Sequence, residues 1–279
     1  MRKNIKKSLK KLVNGLVNLL GKSSLGRYIY VQIITEAMNR TRKIQHNNID
    51  LIFCIPNAVN IYRADTFSKK EPETLDWIDN MPRNSVVWDI GANVGLYSCY
   101  AAKARECLVY AFEPSVFNLE LLARNIYLNS STKLITIIPL PLSDVLSNNT
   151  FNMVNIDWGG AMSTFGKSYG HDGKVMDKVF EYSTIGISMV DALNHLKIKK
   201  PDYIKMDVDG IEHLILKGGM PILKDVKGIL IEINDQFITQ ASEASMYLEQ
   251  AGFVLKEKRQ ADFLSSGQSE FTFNQIWIK

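Results

Sequence analysis

Val86-Val87-Trp88-Asp89-Ile90-Gly91-Ala92-Asn93-Val94-Gly95 is a short apolar run that ends in a glycine-bearing bend and gives way to a helical pattern over 96–104. A run of this length fits a strand buried on both faces. Glycines just beyond such a strand let backbone approach a ligand closely and aim free amides at it. The texture repeats outward from there. Apolar runs at 85–90, 107–112, 134–139, 203–206, 228–233, 253–256 and 271–278 read as seven strands. Helical patterns at 96–104, 116–128, 189–196, 211–216 and 241–250 fall between them, with Gly218 and Gly252 as expected stops. The gaps that contain helices are long enough for right-handed crossovers. The expected fold is α/β: a doubly wound, Rossmann-like, seven-stranded and mainly parallel sheet with a helical N-terminal extension.

Composition narrows the class. At 279 residues, 46% apolar and 22% charged, the chain can build one large core, which excludes disordered and fibrous architectures. Cys54, Cys99 and Cys107 are too few and too scattered for a disulfide framework and form no C-x-x-C pair that would hold zinc. A reducing, cytoplasmic compartment is the expectation. No apolar run approaches the roughly 18 residues of a membrane-spanning helix.

Charge is unevenly spread. Residues 1–30 hold eight basic side chains (Arg2, Lys3, Lys6, Lys7, Lys10, Lys11, Lys22, Arg27) and no acid, and the rest holds 25 basic against 29 acidic groups. The body is therefore mildly acidic, which argues against nucleic acid as a partner. In the basic head, Ile5, Leu9, Leu12, Leu16, Leu19 and Leu20 recur at helical steps, with most lysines on the other side. Two readings stay open: a surface helix docked on the core, and a peripheral membrane contact through residues 1–30. Asn14 and Asn18 interrupt the apolar stretch, which speaks against a secretory signal.

Residues 1–80 read as an N-terminal extension, with the basic helix first and a helical stretch at 72–79 last, and residues 81–279 as the domain that holds the seven strands. Within it, 147–184 is rich in Asn, Gly and Ser and breaks the alternation. It reads as an insertion capping the loop edge of the sheet, with Trp158, Phe165 and Tyr169 expected in packing.

The ligand follows from the bend and from what lies beyond it. Twenty-two residues past Gly91, at the end of the next strand, stands Glu113 followed by Pro114. A carboxylate there can accept both hydroxyls of an adenosine ribose. A dinucleotide site wants a second glycine where this chain has Asn93, because a side chain crowds the pyrophosphate. S-adenosylmethionine carries no phosphate and presents two cationic groups, which suits the nearby Asp89. An NAD(P)-linked oxidoreductase or epimerase is the alternative enzyme, disfavoured by Asn93, and a binding protein without turnover is the third class.

These motifs in order, Asp89 to Gly95, Ala111-Phe112-Glu113-Pro114, Asn125 and Asn129, Leu142-Ser143-Asp144, then Ile204-Lys205-Met206-Asp207-Val208-Asp209-Gly210 with Glu212 and Lys217-Gly218, resemble the FkbM family of methyltransferases over roughly 81–260. The resemblance implies a class I methyltransferase fold. It implies that Asp89, Gly91, Ala92, Asn93 and Gly95 hold the methionine part of S-adenosylmethionine. Glu113 with Pro114 would hold the ribose, and Ser143 with Asp144 the adenine amino group. The usual Asp-Val-Glu-Gly reads Asp-Val-Asp-Gly here, one methylene shorter at Asp209. Asn125 and Asn129 are expected in helix capping or helix-to-loop bonds.

Methyl transfer is an in-line displacement in which alignment supplies most of the acceleration. A hydroxyl acceptor also needs a base. Candidates lie where the fourth and fifth strands end: Asp207, Asp209, Glu232 and Asn234, with Asp207 favoured as base, cofactor contact or metal ligand, and His171 in the insertion as a further catalytic candidate. His195 and His213 read as surface or packing residues. A divalent metal is possible without being indicated. Asp-Val-Asp-Gly stands where base-directed enzymes carry N-P-P-Y or D-P-P-Y, so the expected acceptor is an oxygen on a small molecule or a glycan.

Overall fold

The computed structural model describes the backbone of residues 2–260 and 271–279, and side chains from residue 7 onward. The extension opens with α1 (Arg2–Leu20) and α2 (Ser24–Asn39). A hairpin, β1 (Thr41–His46) and β2 (Ile49–Cys54), follows, and then α3 (Ala58–Asp65), α4 (Phe67–Lys70) and α5 (Pro72–Asp79). The alternating part runs β3 (Val86–Ile90), α6 (Leu96–Arg105), β4 (Leu108–Phe112), α7 (Val116–Leu128) and β5 (Ile135–Ile138). After β6 (Ser147–Met153), β7 (Ser163–Phe165) and β8 (Phe180–Gly186), it resumes with α8 (Met189–His195), β9 (Tyr203–Met206), α9 (Glu212–Leu223), β10 (Gly228–Asn234), α10 (Ile238–Gln250), β11 (Val254–Gln260) and β12 (Thr272–Ile278).

The seven expected strands form one sheet in the order β5-β4-β3-β9-β10-β12-β11. Only β12 runs against the rest. The chain winds outward from β3 to β5 and then returns to the other side of β3, so the order reverses between β3 and β9. A crevice at the carboxyl ends of these two strands is the usual consequence of such a reversal. Both faces of the sheet are covered. Trp88 and Ile90 of β3 pack with Ile204, Met206, Ile215 and Leu216 on one side, while Val87 packs with Leu75, Tyr100 and Val109 on the other. This alternation is the two-residue period of a strand.

Two sequence expectations need correcting. The first concerns the extension between the basic head and 72–79, which is not all helical. Asn47 and Asn48 take left-handed φ values of 44° and 63°, which turns β1 into β2, and Leu51 and Phe53 of β2 alternate into the core. Among the described residues β2 pairs with no strand of the main sheet, and its outer edge is held by Asn125 of α7 and by Asn129, the residue that caps that helix. Asn125 Oδ1 accepts from Cys54 N at 2.8 Å and its Nδ2 donates to Val94 O at 2.7 Å. Asn129 Oδ1 accepts from Ile52 N at 3.0 Å and its Nδ2 donates to Ile52 O at 2.8 Å. The expected capping asparagines thus do the work of a neighbouring strand. Asn125→Ala strands a buried amide and a buried carbonyl, so it is expected to lower unfolding stability by about 1–3 kcal/mol in a urea titration.

The second correction is Gly218, which does not stop its helix, because α9 continues through Gly218, Gly219 and Pro221 to Leu223. The glycines serve close packing instead. A Cβ at Gly218 would lie 2.7 Å from Asp144 Cα and from Ser143 O, and one at Gly219 would lie 2.3 Å from Met189 Sδ. The segment 147–184 forms most of a separate three-stranded antiparallel sheet, ordered β7-β6-β8, whose last strand runs on to Gly186. The docked-helix reading of the basic head is not met through its leucines, since Leu9, Leu12, Leu16 and Leu19 are exposed. Ile5, Arg2, Lys3 and Lys6 have side chains outside the described residues.

Candidate active site

The bend after β3 is built by crossing chains. Gly91 has φ +82°, and a Cβ there would sit 1.8 Å from the Asp207 carbonyl at the end of β9. Amides of Gly91 and Ala92 both donate to Phe112 O at 3.0 Å, locking the bend to β4. Gly91→Ala is accordingly expected to push the two strand ends apart. It should lower the melting temperature and remove the thermal upshift that S-adenosylhomocysteine gives the unaltered protein.

Beside this bend lies a crevice of about 550 Å³. Its polar end is lined by Gly91, Asn93, Glu113, Pro114, Ser115 and Asn118, and its apolar end by Leu140, Leu142, Phe151, Phe165 and Ile211. Glu113 is buried, with Oε2 accepting from Asn93 N at 2.7 Å and Oε1 from Ser115 N at 2.8 Å. Burial pushes its carboxyl up to about 7, and the two amides pull the other way. The Ser115 hydroxyl is buried with no hydrogen-bond partner among the described residues. A carboxylate and an unmatched hydroxyl at one end of an apolar slot fit the ribose and ring of an adenosine.

The side chain of Asn93 fills the place of the missing glycine and works as a tie. Its Nδ2 donates to Gly160 O at 2.8 Å, and Asn118 Nδ2 donates to the same oxygen at 3.1 Å. On the other side of this strap, Asn57 and Asn60 donate to Trp158 O, and Arg63 Nη2 donates to Gly159 O at 2.8 Å. The insertion is therefore clamped between the extension and the bend after β3.

Other expected site residues fall elsewhere. Ala92 faces a smaller neighbouring cavity with Tyr97 and Lys205. Gly95, φ +79°, begins α6, where a Cβ would lie 2.3 Å from Leu122 Cδ1, so its role is packing. Asp89 does not line the crevice. Its Oδ2 accepts from Ser98 Oγ at 2.5 Å and its Oδ1 lies 3.9 Å from Lys205 Nζ, so its charge is turned inward. Burial raises the Asp89 carboxyl while Lys205 lowers it. Ser143 and Asp144 also lie off the crevice lining, and Asp144 is 3.8 Å from Lys217 Nζ at the edge of α9. Asn234 serves the backbone, accepting from Gln236 N at 2.9 Å. His213 packs edge-on to Phe237, and His195 lies 3.9 Å from Asp191.

A second basin of about 1120 Å³ adjoins the crevice. The two share Gly91, Asn93, Gly160, Ala161, Asp207 and Asp209, and only the second reaches Glu232, Tyr62, Arg63 and Lys70. Asp207, Asp209 and Glu232 each offer an oxygen within 4.8 Å of the others, a spacing that one hard cation can bridge. Their environments differ. Lys205 Nζ engages Asp207 Oδ2 at 3.4 Å. Asp209, at φ 62°, has Oδ2 accepting from Met162 N at 2.7 Å and Ser163 N at 3.2 Å. Burial and the Asp207 charge push Asp209 up to about 6. Burial first, then Asp207 and Asp209, push Glu232 well above the ordinary carboxylate range. His171 adjoins the same turn: a Cβ on Gly210 would lie 3.3 Å from His171 N, and its charge acts on Asp209.

Sequence reasoning placed Lys205 and Glu212 in the family motif but assigned neither to these carboxylates. Lys205 is only 4% exposed. Burial alone would lower its ammonium, but Asp207, Asp89, Glu71 and Glu232 raise it and keep it charged. Its Nζ also stands 5.4 Å from the Tyr97 ring centre. A lysine inside an apolar strand was the available signal, since buried lysines are almost always paired. Glu212 staples the turn, with Oε1 accepting from Val208 N and Oε2 from Gly210 N, both at 3.1 Å, while Gln240 donates to the same carboxylate. Burial pushes Glu212 up to about 7.

Residues 89–255 match the methyltransferase FkbM domain family. A curated relative, the hexuronic acid methyltransferase AglP of Haloferax volcanii, is 25% identical over 219 residues, covering 76% of this chain and 82% of its own. Among solved structures, methyltransferase FkbM from Methylobacillus flagellatus superposes with a TM-score of 0.49 at 15% identity, covering 72% of this chain and 44% of that one. M. jannaschii TYW2, solved with AdoMet, superposes with a TM-score of 0.43 at 15% identity, covering 85% and 84%. With the family match spanning more than half of its length, the chain is a member of the FkbM methyltransferases, enzymes that depend on S-adenosylmethionine.

Proposed function

We propose that the protein methylates a hydroxyl of an acidic sugar in a glycan, with S-adenosylmethionine in the crevice and the sugar in the adjoining basin. The observation that carries this reading is that the two cavities meet at Asp207 and Asp209, with Glu232 on the sugar side. When bound, S-adenosylmethionine supplies a methyl group on a cationic sulfur, whose departure as a thioether needs no acid. Glu113 and Ser115 hold the ribose end, the apolar residues from Leu140 to Phe165 take the ring, and Asp207 and Asp209, on the wall shared by the two cavities, face the cationic end.

Glu232 is the proposed base. It lines the sugar basin and not the cofactor crevice, and its raised affinity for a proton makes it a stronger base towards a hydroxyl once it is ionised. Asp207, engaged by Lys205, and Asp209, fixed by two amides, orient the acceptor. Arg63, beside Lys70 with its ion pair to Glu71 at 2.7 Å, is the cation of this basin that an acceptor carboxylate would meet. The relative named for hexuronic acid methylation supports the same class.

The test is transfer of labelled methyl to a panel of uronic-acid and neutral oligosaccharides, with the linkage read by NMR. An O-methyl ether on the uronic acid is expected, and labelling of neutral sugars alone would remove the acidic acceptor from this reading. The carboxylate spacing favours one second reading, a divalent cation bridging the three groups. Exhaustive chelation is expected to leave activity intact. Loss restored by Mg²⁺ would turn the three carboxylates from proton acceptor and positioners into cation ligands.

A further inference from the structure

The two helices that open the chain leave apolar surface without a partner. Leu9, Leu12, Val13 and Leu16 of α1 follow three- and four-residue steps along one side and are 48–72% exposed, while Lys7, Lys10 and Lys11 fall on the other side. Helix α2 is apolar nearly all round: Leu25, Tyr28, Ile29, Val31, Ile33 and Ile34 are 40–69% exposed. A helix of that pattern is ordinarily buried. The two are joined closely, since a Cβ on Gly26 would lie 2.0 Å from Leu20 O. At about 1.5 Å per residue, the 16 residues of α2 fall short of a bilayer core of about 30 Å. No helix among the described residues is long and apolar enough to cross a membrane.

Charge decides what covers this surface. The first 30 residues carry eight basic groups and no acid, so the leucine stripe shares its helix with cations that no acid in that stretch pairs. An anionic lipid surface offers hydrocarbon and negative charge side by side, and Tyr28 and Tyr30 suit the headgroup layer. We propose that α1 and α2 lie in the interface of an anionic membrane, with the leucines of α1 and the apolar side chains of α2 at the acyl boundary and the lysines against lipid phosphates. This holds the enzyme at a lipid surface whatever its acceptor is.

The test is flotation of the full chain with vesicles of phosphatidylcholine alone and with about one-third phosphatidylglycerol, a content that gives a strongly negative surface. Binding to the anionic vesicles is expected to exceed binding to the neutral ones by at least about tenfold and to weaken in high salt. The triple variant Lys7→Glu, Lys10→Glu, Lys11→Glu should weaken it by about a hundredfold or more. Leu12→Asp with Leu16→Asp should abolish it, with the thermal midpoint of the body unchanged because both side chains are exposed. Equal binding to both kinds of vesicle would overturn the proposal, as would no binding. A dimer seen by light scattering and dispersed by the leucine variant, with no vesicle binding, would assign the surface to a second copy of the chain and overturn it likewise.

Discussion

Glu232→Gln is expected to lower kcat by about 10²–10⁴-fold, the range a positioned base contributes, while affinity for S-adenosylhomocysteine stays within about threefold. The amide keeps the size of the side chain but cannot take the acceptor's proton. Single-turnover methyl transfer and calorimetry separate the two effects. The pH dependence has a definite sign. Burial and two neighbouring aspartates raise the Glu232 carboxyl, so the base is empty only at higher pH and the rate rises as pH climbs through that raised value. In Glu232→Gln this limb should vanish, leaving at most the milder rise of Asp209 near 6. A variant with wild-type kcat would return the role to Asp207, which shares the wall. Loss of cofactor affinity together with kcat would mark Glu232 as part of the cofactor site instead.

Glu113→Ala is expected to weaken S-adenosylhomocysteine binding by about 10- to 100-fold, the worth of one or two charge-assisted hydrogen bonds to ribose. The substitution also leaves the amides of Asn93 and Ser115 without their acceptor. The melting temperature of the free variant therefore has to be read beside its affinity. In the unaltered protein the Glu113 carboxyl sits at about 7. Only the ionised form accepts from both hydroxyls, so affinity should improve by about tenfold from pH 6 to pH 8 as that group loses its proton. Unchanged affinity in the variant, or a flat pH profile in the unaltered protein, would take the ribose away from Glu113.

Some elements could be read to the residue. Strand β9 and helix α7 occupy the expected 203–206 and 116–128, because a fully buried strand and an apolar helix face each carry a local period that no distant contact needs to supply. The β1–β2 hairpin escaped because β2 is held by Asn125 and Asn129, side chains more than 70 positions away in the chain. Its one local signal, the pair Asn47-Asn48, is a turn whose left-handed geometry the residues tolerate without demanding it. Gly218 was misread because a glycine that ends a helix and one that lets a loop pack against it look the same in one dimension.

The candidate site divides in a similar way. Gly91, Asn93, Glu113 and Asp207 all stand on the crevice lining, since each lies at the end of a buried strand whose position the apolar pattern already fixes. Asp89 sits on one of those same strands and still turns away, toward Lys205 and Ser98. Which face of a strand end a side chain takes depends on the charge waiting for it, and that charge comes from another strand.

From its residues alone, then, the chain determined a doubly wound sheet and a bend suited to a phosphate-free nucleoside cofactor, because strand period, glycine spacing and a carboxylate one strand later are local facts. Only the folded chain decided which carboxylates meet, which one Lys205 engages, and that Arg63 and Lys70 of the extension border the same basin. Proton affinity and charge pairing depend on burial and on neighbours far away in sequence, and those exist only once the strands are side by side.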